Sequence, residues 1–334
     1  KNTMLKAPKF WYVKKDTLLS RVFYPLSLLF RLGTKIRNAI SVTKKSHLPI
    51  ICVGNIVVGG AGKTPVALKI GKMLIESGYS PHFISKGYAG LIKTNTPVES
   101  WHSPKSVGDE PLLLSEIAPT WIGIDRNKSI SLAAEKGGDC IIMDDGFQNP
   151  TIHKDFSIIV INAAQEFGNK RVMPAGPLRE SIKRGLSRTN LIVVIGEITE
   201  YLKKTIPDHI PVIPAKFNIF NESKIFKGQT ITAFAGIAYP EKFFSSLREQ
   251  GAKVVKEIIY PDHHIYDEND LLYLAETANK NKSILVSTKK DFVRIPKSYR
   301  SLINTLEGEI VFEKESLIKE ILTNVIENQI QNAK

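Results

Sequence analysis

Short apolar runs recur along this chain, each followed by a glycine-rich or polar turn and then by apolar residues at helical spacing. LPIICVG (48–54), PHFIS (81–85), TWIGI (120–124) and DCIIMDDGFQ (139–148) read as strands. Between them, Val66, Ile70, Met73 and Leu74 share one face of a helix opened by Thr64, Asp109 and Glu110 open a helix in VGDEPLLLSEIA, and Asn127 to Lys136 form another. This alternation predicts an α/β fold with a doubly wound, mostly parallel sheet whose ligands bind at the carboxyl ends of the strands. Pro150 and Thr151 to Asp155 interrupt the pattern. After them FSIIVIN, LIVVIG, PVIPAKF, TITAFAG, KVVKEIIY and SILVST, with helices near Phe243 to Arg248 and Leu271 to Asn279, predict a second α/β domain. The expected division is therefore a nucleotide-binding domain at 48–149, a linker at 150–156 and a second domain with its return at 157–307. EIVFE and a helix carrying Leu317, Ile321, Leu322 and Val325 make 308–334 a candidate completion of the first domain.

The first 47 residues follow a different pattern. FWYVKK and LLSRVFYPLSLLFRLGTKIR interleave large apolar side chains with basic ones, and eleven Lys or Arg face a single Asp, so +10 of the formal +13 lies here. Such a segment suits a membrane interface, with apolar groups at the acyl boundary and each cation worth about 1 kcal/mol near anionic head groups. Pro25 is expected to divide it into two helices. The alternatives are an amphipathic helix packed on the protein's own core and a nucleic-acid-binding patch; high apolar content and the absence of a recognisable module argue against the second.

At 334 residues, 43% apolar and 24% charged, the chain can bury cores for two domains. Cys52 and Cys140 sit inside apolar runs and read as buried thiols rather than a disulfide or zinc framework. No signal peptide and no run of 18 uncharged apolar residues is visible, so a peripheral protein on the cytoplasmic side is expected.

The candidate chemistry sits at the strand ends. GNIVVGGAGKTP closes LPIICVG with the tail of a phosphate-binding loop: Val58, Gly59, Gly60, Ala61, Gly62, Lys63, Thr64 and Pro65. Glycines let backbone N–H groups approach phosphate oxygens, the lysine reaches the β- and γ-phosphates, the threonine hydroxyl ligates Mg²⁺, and the helix N-terminus favours the anion. The consensus glycine five residues before Gly62 is here Val57. Asp144 and Asp145 follow a buried strand, as a carboxylate holding Mg²⁺ beside such a loop should.

Taken in order, GGAGKTP, SKGYAG, GDEP, DDGFQ, PAGPLRE and PDHH span nearly the whole chain, and the set resembles the tetraacyldisaccharide 4'-kinase family. The resemblance implies two α/β domains joined by a short two-stranded linker, with the site between them. It further implies ATP- and Mg²⁺-dependent phosphorylation of the 4'-hydroxyl of a lipid-linked glucosamine disaccharide at the cytoplasmic face of the inner membrane, with no obligate protein partner inferred. Carried over by motif, Lys63 and Thr64 serve phosphates and metal, Asp144 and Asp145 the metal, and Asp109 acts as base with His263 or His264. Glu110, Arg126, Gln148, Arg179 and Glu180 are expected near substrate or phosphates. Lys86, Asn149 and Lys289 depart from the family's SRGYGG, DDGFQH and TEKD.

Two competing readings share some of these features. A GTPase or metal-insertion NTPase would use Thr288-Lys289-Lys290-Asp291 as a guanine motif, but a D-x-x-G switch is missing, since Phe147 and Gln148 stand where Asp144 and Asp145 would need glycine. A membrane-surface scaffold with a vestigial loop would leave both the paired aspartates and PDHH without a purpose.

Overall fold

The computed structural model describes residues 7–13, 15, 17–87, 90–220 and 226–333. Residues 1–6, Lys14 and Asp16 of the basic segment, and Tyr88 and Ala89 of SKGYAG, lie outside the described residues. Helices α1 (Leu18–Val22) and α2 (Tyr24–Ile40) precede the first strand, β1 (Ile50–Gly54). Then come α3 (Lys63–Glu76), β2 (Pro81–Ser85), β3 (Thr96–Pro97), α4 (Pro104–Val107), α5 (Asp109–Ser115), β4 (Thr120–Ile122), α6 (Arg126–Glu135) and β5 (Cys140–Asp144). β6 (Phe156–Asn162), α7 (Ile182–Leu186), β7 (Leu191–Ile195), α8 (Glu200–Thr205) and β8 (Val212–Ile219) continue the same layer.

These strands form one nine-stranded sheet that β13 (Gly308–Phe312) completes, in the order β13-β8-β7-β6-β1-β5-β2-β4-β3. The inner pairs are parallel, and only β3 on β4 and β13 on β8 run antiparallel. Every residue of β1, β2 and β5 is buried, as parallel strands covered on both faces require. One face packs Ile50, Ile141, Ile159 and Ile192 together; the other buries Val53, Ile142 and Val160 against Val66 and Ile70 of α3 and Ile318 and Leu322 of α12 (Glu315–Ala333).

The expected linker at 150–156 is corrected by this topology. The chain leaves β5, crosses β1 and re-enters the same sheet as β6, with Ile51 to Gly54 paired in parallel to Phe156 to Ile159. Residues 157–219 therefore belong to the first domain. The runs FSIIVIN, LIVVIG and PVIPAKF are strands as expected, but an apolar strand carries no mark of which sheet it joins. The crossing puts the reversal of strand order at β1, where open α/β sheets bind ligands.

The second domain is smaller. β9 (Thr230–Ala235), α9 (Pro240–Glu249), β10 (Lys253–Ile259), α10 (Glu268–Lys280), β11 (Ile284–Thr288), α11 (Lys289–Phe292) and β12 (Ile303–Leu306) build a parallel four-stranded sheet, β10-β9-β11-β12. Its two faces are covered by Phe243, Phe244 and Leu247 and by Tyr266, Leu271 and Leu274. The domains are joined by β8 and β13, which pair antiparallel from Ala215–Phe312 to Ile219–Gly308.

In the amino-terminal helices the usual polarity is inverted. Their buried residues are Ser20 and Ser27, while Leu18 (78% exposed), Leu29, Leu32, Ile36 and Ile40 (76%) face outward. The serines face in because loop backbone awaits them: Ser20 Oγ donates to Ala175 O at 3.0 Å, and Ser27 Oγ donates to Val172 O at 2.7 Å while accepting from Ala175 N at 3.1 Å. Pro25 falls in the first turn of α2, where its missing N–H costs nothing. The alternative of apolar packing on the protein's own core does not fit such exposure. Among the described residues, no helix is long and apolar enough to cross a membrane.

This inversion predicts opposite outcomes for two neighbouring substitutions. Ser27→Val, which strands a buried carbonyl and N–H, should destabilise the fold by about 1–3 kcal/mol. Leu29→Ser on the outer face should change stability by no more than about 0.5 kcal/mol. Urea unfolding of both variants checks this, and equal losses would place Leu29 in a packed core.

Candidate functional site

The phosphate-binding loop grows out of β1. Asn55, fully buried, bends the chain by donating from Nδ2 to Val57 O at 2.6 Å, and Val57 bridges to Leu178. The consensus glycine is thus replaced by a residue that anchors the loop to the 172–179 segment, with Val58 N donating to Pro177 O at 2.8 Å. The flexibility lies further on, at Gly59 (φ 115°) and Gly62 (φ 88°), both left-handed conformations that favour glycine. Gly62 caps α3, and a Cβ there would come within 2.4 Å of Ile195. Lys63 and Thr64 follow as the first residues of the helix, so its unpaired N–H groups face the loop.

Asp144 and Asp145, though adjacent, have different surroundings. Asp144 is 2% exposed; its Oδ2 accepts from Thr64 Oγ1 at 2.9 Å, and its Oδ1 is buried without a hydrogen-bond partner. Burial, with the charge of Glu110 added, pushes its carboxyl up to about 7 despite the opposing pull of Lys63. For Asp145 burial works against the charge too, but Lys63 at 3.7 Å and a forked contact from Arg179 at 2.9 and 3.3 Å outweigh it and hold the carboxyl below its usual range. Its φ of 54° turns the side chain from the strand toward those cations. An orphaned buried carboxylate oxygen beside a threonine hydroxyl at the phosphate loop fits Mg²⁺, which takes one or two carboxylates and completes its shell with phosphate and water. Among the described residues there is no group of three or more His, Cys, Asp or Glu that could cage a metal by itself.

Across from this site the second domain contributes a histidine. Asp109 opens α5, and His263 sits in the turn after β10, 154 residues away in sequence, with its Nδ1 3.0 Å from Asp109 Oδ2. Burial penalises the Asp109 charge, but His263, Lys290 and Arg294 together hold the carboxyl far below the ordinary carboxylate range. An ionised carboxylate only accepts, so Nδ1 carries a proton toward Asp109, and in the neutral ring Nε2 is the nitrogen that presents the lone pair. Lys290 Nζ lies 3.5 Å from Nε2 and 3.6 Å from Glu110 Oε1. The backbone of His263 is left-handed (φ 60°) and is tied by its N–H to Gly236 O at 3.0 Å.

The other expected residues divide. His264 is turned away from Asp109: its Nε2 meets Asp270 Oδ2 at 2.7 Å, and its ring stacks on Tyr260 with centroids 4.6 Å apart. Gln148 braces the strand end, donating to Asn55 O at 2.8 Å and Glu180 Oε1 at 3.2 Å and accepting from Arg179 at 3.3 Å. Glu180 is committed to Arg188 through contacts of 2.6 and 2.7 Å, so it holds the loop rather than facing phosphate. Arg126 is buried behind Asp145, its guanidinium 3.4 Å from the Asp145 carbonyl and 3.9 Å from Met143 Sδ. The guanine-motif alternative fails at Asp291, whose oxygens are buried and occupied by Gly236 N, Tyr266, Arg294 and Thr288. Sequence reasoning missed Asn55, Lys290 and Arg294; the last two lie in or just beyond TKKD, the only available signal.

Comparison with known proteins agrees with the fold and its motifs. A family model described as LpxK, tetraacyldisaccharide-1-P 4'-kinase, matches residues 19–327. The chain is 39% identical over 325 residues to the tetraacyldisaccharide 4'-kinase of Paramagnetospirillum magneticum, covering 96% of this chain and 99% of that one. It is 38% identical over 308 residues to the protein of the same name from Gluconobacter oxydans, covering 92% and 94%. In fold it resembles the crystal structure of LpxK from Aquifex aeolicus in complex with ATP, with a TM-score of 0.75 at 24% identity, over 92% of this chain and all of that one. With matches spanning both domains and the connection between them, the chain belongs to the tetraacyldisaccharide-1-P 4'-kinase family.

Proposed function

We propose that this protein transfers the γ-phosphate of ATP to the 4'-hydroxyl of a tetraacylated glucosamine disaccharide 1-phosphate, in the biosynthesis of lipid A. The observation that carries this reading is the pairing of Asp109 with His263 across two domains, beside a phosphate loop. The loop from Val58 to Pro65 cradles the phosphates, with Lys63 leaving Asp145 to follow the γ-phosphate. Thr64 and Asp144 would hold Mg²⁺, with Asp145 and its partner Arg179 beside them, and a bound ion would supply neutralisation of the charge on the phosphates. The disaccharide hydroxyl oxygen bonds to the γ-phosphorus as the bond to the β–γ bridging oxygen breaks, and ADP leaves. The hydroxyl proton passes to His263 Nε2. Asp109, saturated by cations, is a poor terminal acceptor; it fixes the ring and stabilises the imidazolium that forms. His264 belongs to the scaffold of the turn.

The outward apolar face of α1 and α2, together with Arg21, Arg31, Lys35 and Arg37, docks on the cytoplasmic face of the bacterial inner membrane and brings the site to its lipid substrate. The docking is peripheral.

Three measurements test this. Label from ATP, and not from GTP, should appear in a lipid disaccharide 1-phosphate, with Lys63→Ala and Thr64→Ala both impaired; use of GTP alone would return the GTPase reading. In steady-state kinetics, Asp109→Ala and His263→Ala should each lower kcat by on the order of a hundredfold or more. The double variant should be little worse than the poorer single, as for residues acting as a unit, and His264→Ala should lose far less. Fully multiplicative losses would mean that carboxylate and imidazole act independently. Deleting residues 1–40 should move the protein from membrane to soluble fractions, and raised salt should weaken the intact protein's association by screening its cations. Unchanged partition of the truncated protein would remove this segment as the anchor.

A further inference from the structure

Arg294 is 3% exposed, and its guanidinium reaches both members of the catalytic pair. Nε donates to Asp109 Oδ2 at 3.0 Å, and Nη2 contacts the same oxygen, across 185 residues of sequence and from the other domain. Nη1 donates to Gly236 O at 2.7 Å, the same carbonyl that receives the His263 backbone N–H at 3.0 Å. Nη2 is also 3.4 Å from His263 Nδ1. Asp291, completely buried, holds the arginine from behind: Oδ1 accepts from Arg294 Nη1 at 3.0 Å, from Gly236 N at 2.9 Å and from Tyr266 OH at 2.9 Å. Thr288 closes the set at 2.6 Å from Asp291 Oδ2 and caps α11, the turn that carries Lys290.

We propose that Arg294, held by Asp291, is the positioning residue that sets the register of the two domains and fixes Asp109 and His263 relative to each other. A stabilising role confined to the second domain would need only the Asp291 contact, since one buried carboxylate neutralises one guanidinium. The remaining donors are spent on the other domain's carboxylate and on the carbonyl that sets the left-handed His263 turn. A rigid planar fork suits that double task, because it dictates direction as well as charge. The TKKD segment thus acquires a role in which Asp291 never touches a nucleotide. Lys290 and Arg294, from α11 and the turn beyond it, and Asp262 reach the pair itself, while Glu110 from α5 and Asp291 stand behind them on Lys290 and Arg294 respectively.

This inference rests on the kinase reading, and its test separates the two. Arg294→Gln, Arg294→Lys and Asp291→Asn are compared with the unaltered protein in ATP affinity, in kcat against pH with ATP and lipid disaccharide, and in the titration of the His263 ring followed by NMR with labelled histidine. Arg294→Gln should lower kcat on the order of a hundredfold while ATP affinity stays within about threefold. Removing a cation beside Nδ1 makes the imidazole easier to protonate, so the acid limb of the kcat profile and the NMR titration should both move to higher pH. Arg294→Lys, which keeps the charge but not the fork, should recover the position of the limb and only part of kcat; Asp291→Asn, which loosens the arginine but removes an anion rather than a cation, should lower kcat less than Arg294→Gln without moving the limb to higher pH. A loss of kcat with neither limb nor ring titration displaced would reduce Arg294 to scaffold and overturn the proposal. Should Arg294→Gln fail to fold, Arg294→Lys decides, and unaltered kcat in that variant sinks the positioning role. If the unaltered protein phosphorylates no disaccharide while the His263 titration still moves in Arg294→Gln, the kinase reading falls and the positioning claim stands.

Discussion

A single buried carboxylate, Asp109, holds this structure to its purpose. It belongs to the first domain by chain and sheet, yet apart from its contact with the next N–H its partners His263, Lys290 and Arg294 all come from the second. A buried carboxylate is tolerated only when it is paired and hydrogen-bonded, so the two domains face each other at this point or the charge is left stranded. Among the described residues the chain passes between them through the antiparallel pair β8 and β13, which leaves orientation to be set by contacts such as these. The same contacts that make the interface tolerable leave the imidazole Nε2 presenting its lone pair.

The paired aspartates apply the same electrostatics with the opposite result. Asp145 has found two cations and stays charged; Asp144 has found a hydroxyl for one oxygen and nothing for the other, and burial raises it toward neutrality. A divalent cation at that oxygen reverses the balance, since an opposite charge within a few ångströms favours the ionised form. Neighbours in sequence thus meet different surroundings: one keeps a buried oxygen without a partner, the other contacts Lys63 and Arg179.

The amino-terminal helices extend the logic to the surface. Serines turned inward satisfy the loop at 172–175, and that loop leads through Pro177 and Leu178 to the backbone of the phosphate-binding loop. An exposed row of leucines is costly in water, and a lipid interface would remove the cost while leaving the basic side chains near head groups.

Much of this was legible in the residues alone. The strand, glycine turn and helix from Leu48 to Leu74, the paired aspartates after a buried strand and the apolar, basic start of the chain are local patterns, and local chemistry suffices to read them. Strand membership was not legible: FSIIVIN is apolar enough for any sheet interior, and only the crossing over β1 placed it in the first domain rather than the second. Nor could the sequence choose between His263 and His264, adjacent residues that the left-handed turn sends to Asp109 and Asp270 respectively. Arg294 had only its place just beyond TKKD to mark it, because its meaning lies in carboxylates 3 and 185 residues away that only the packed domains bring within reach. Periodicity and turn chemistry act over a few residues and are written in the chain; the partners of a buried charge are selected by the fold as a whole, where desolvation makes each pairing obligatory.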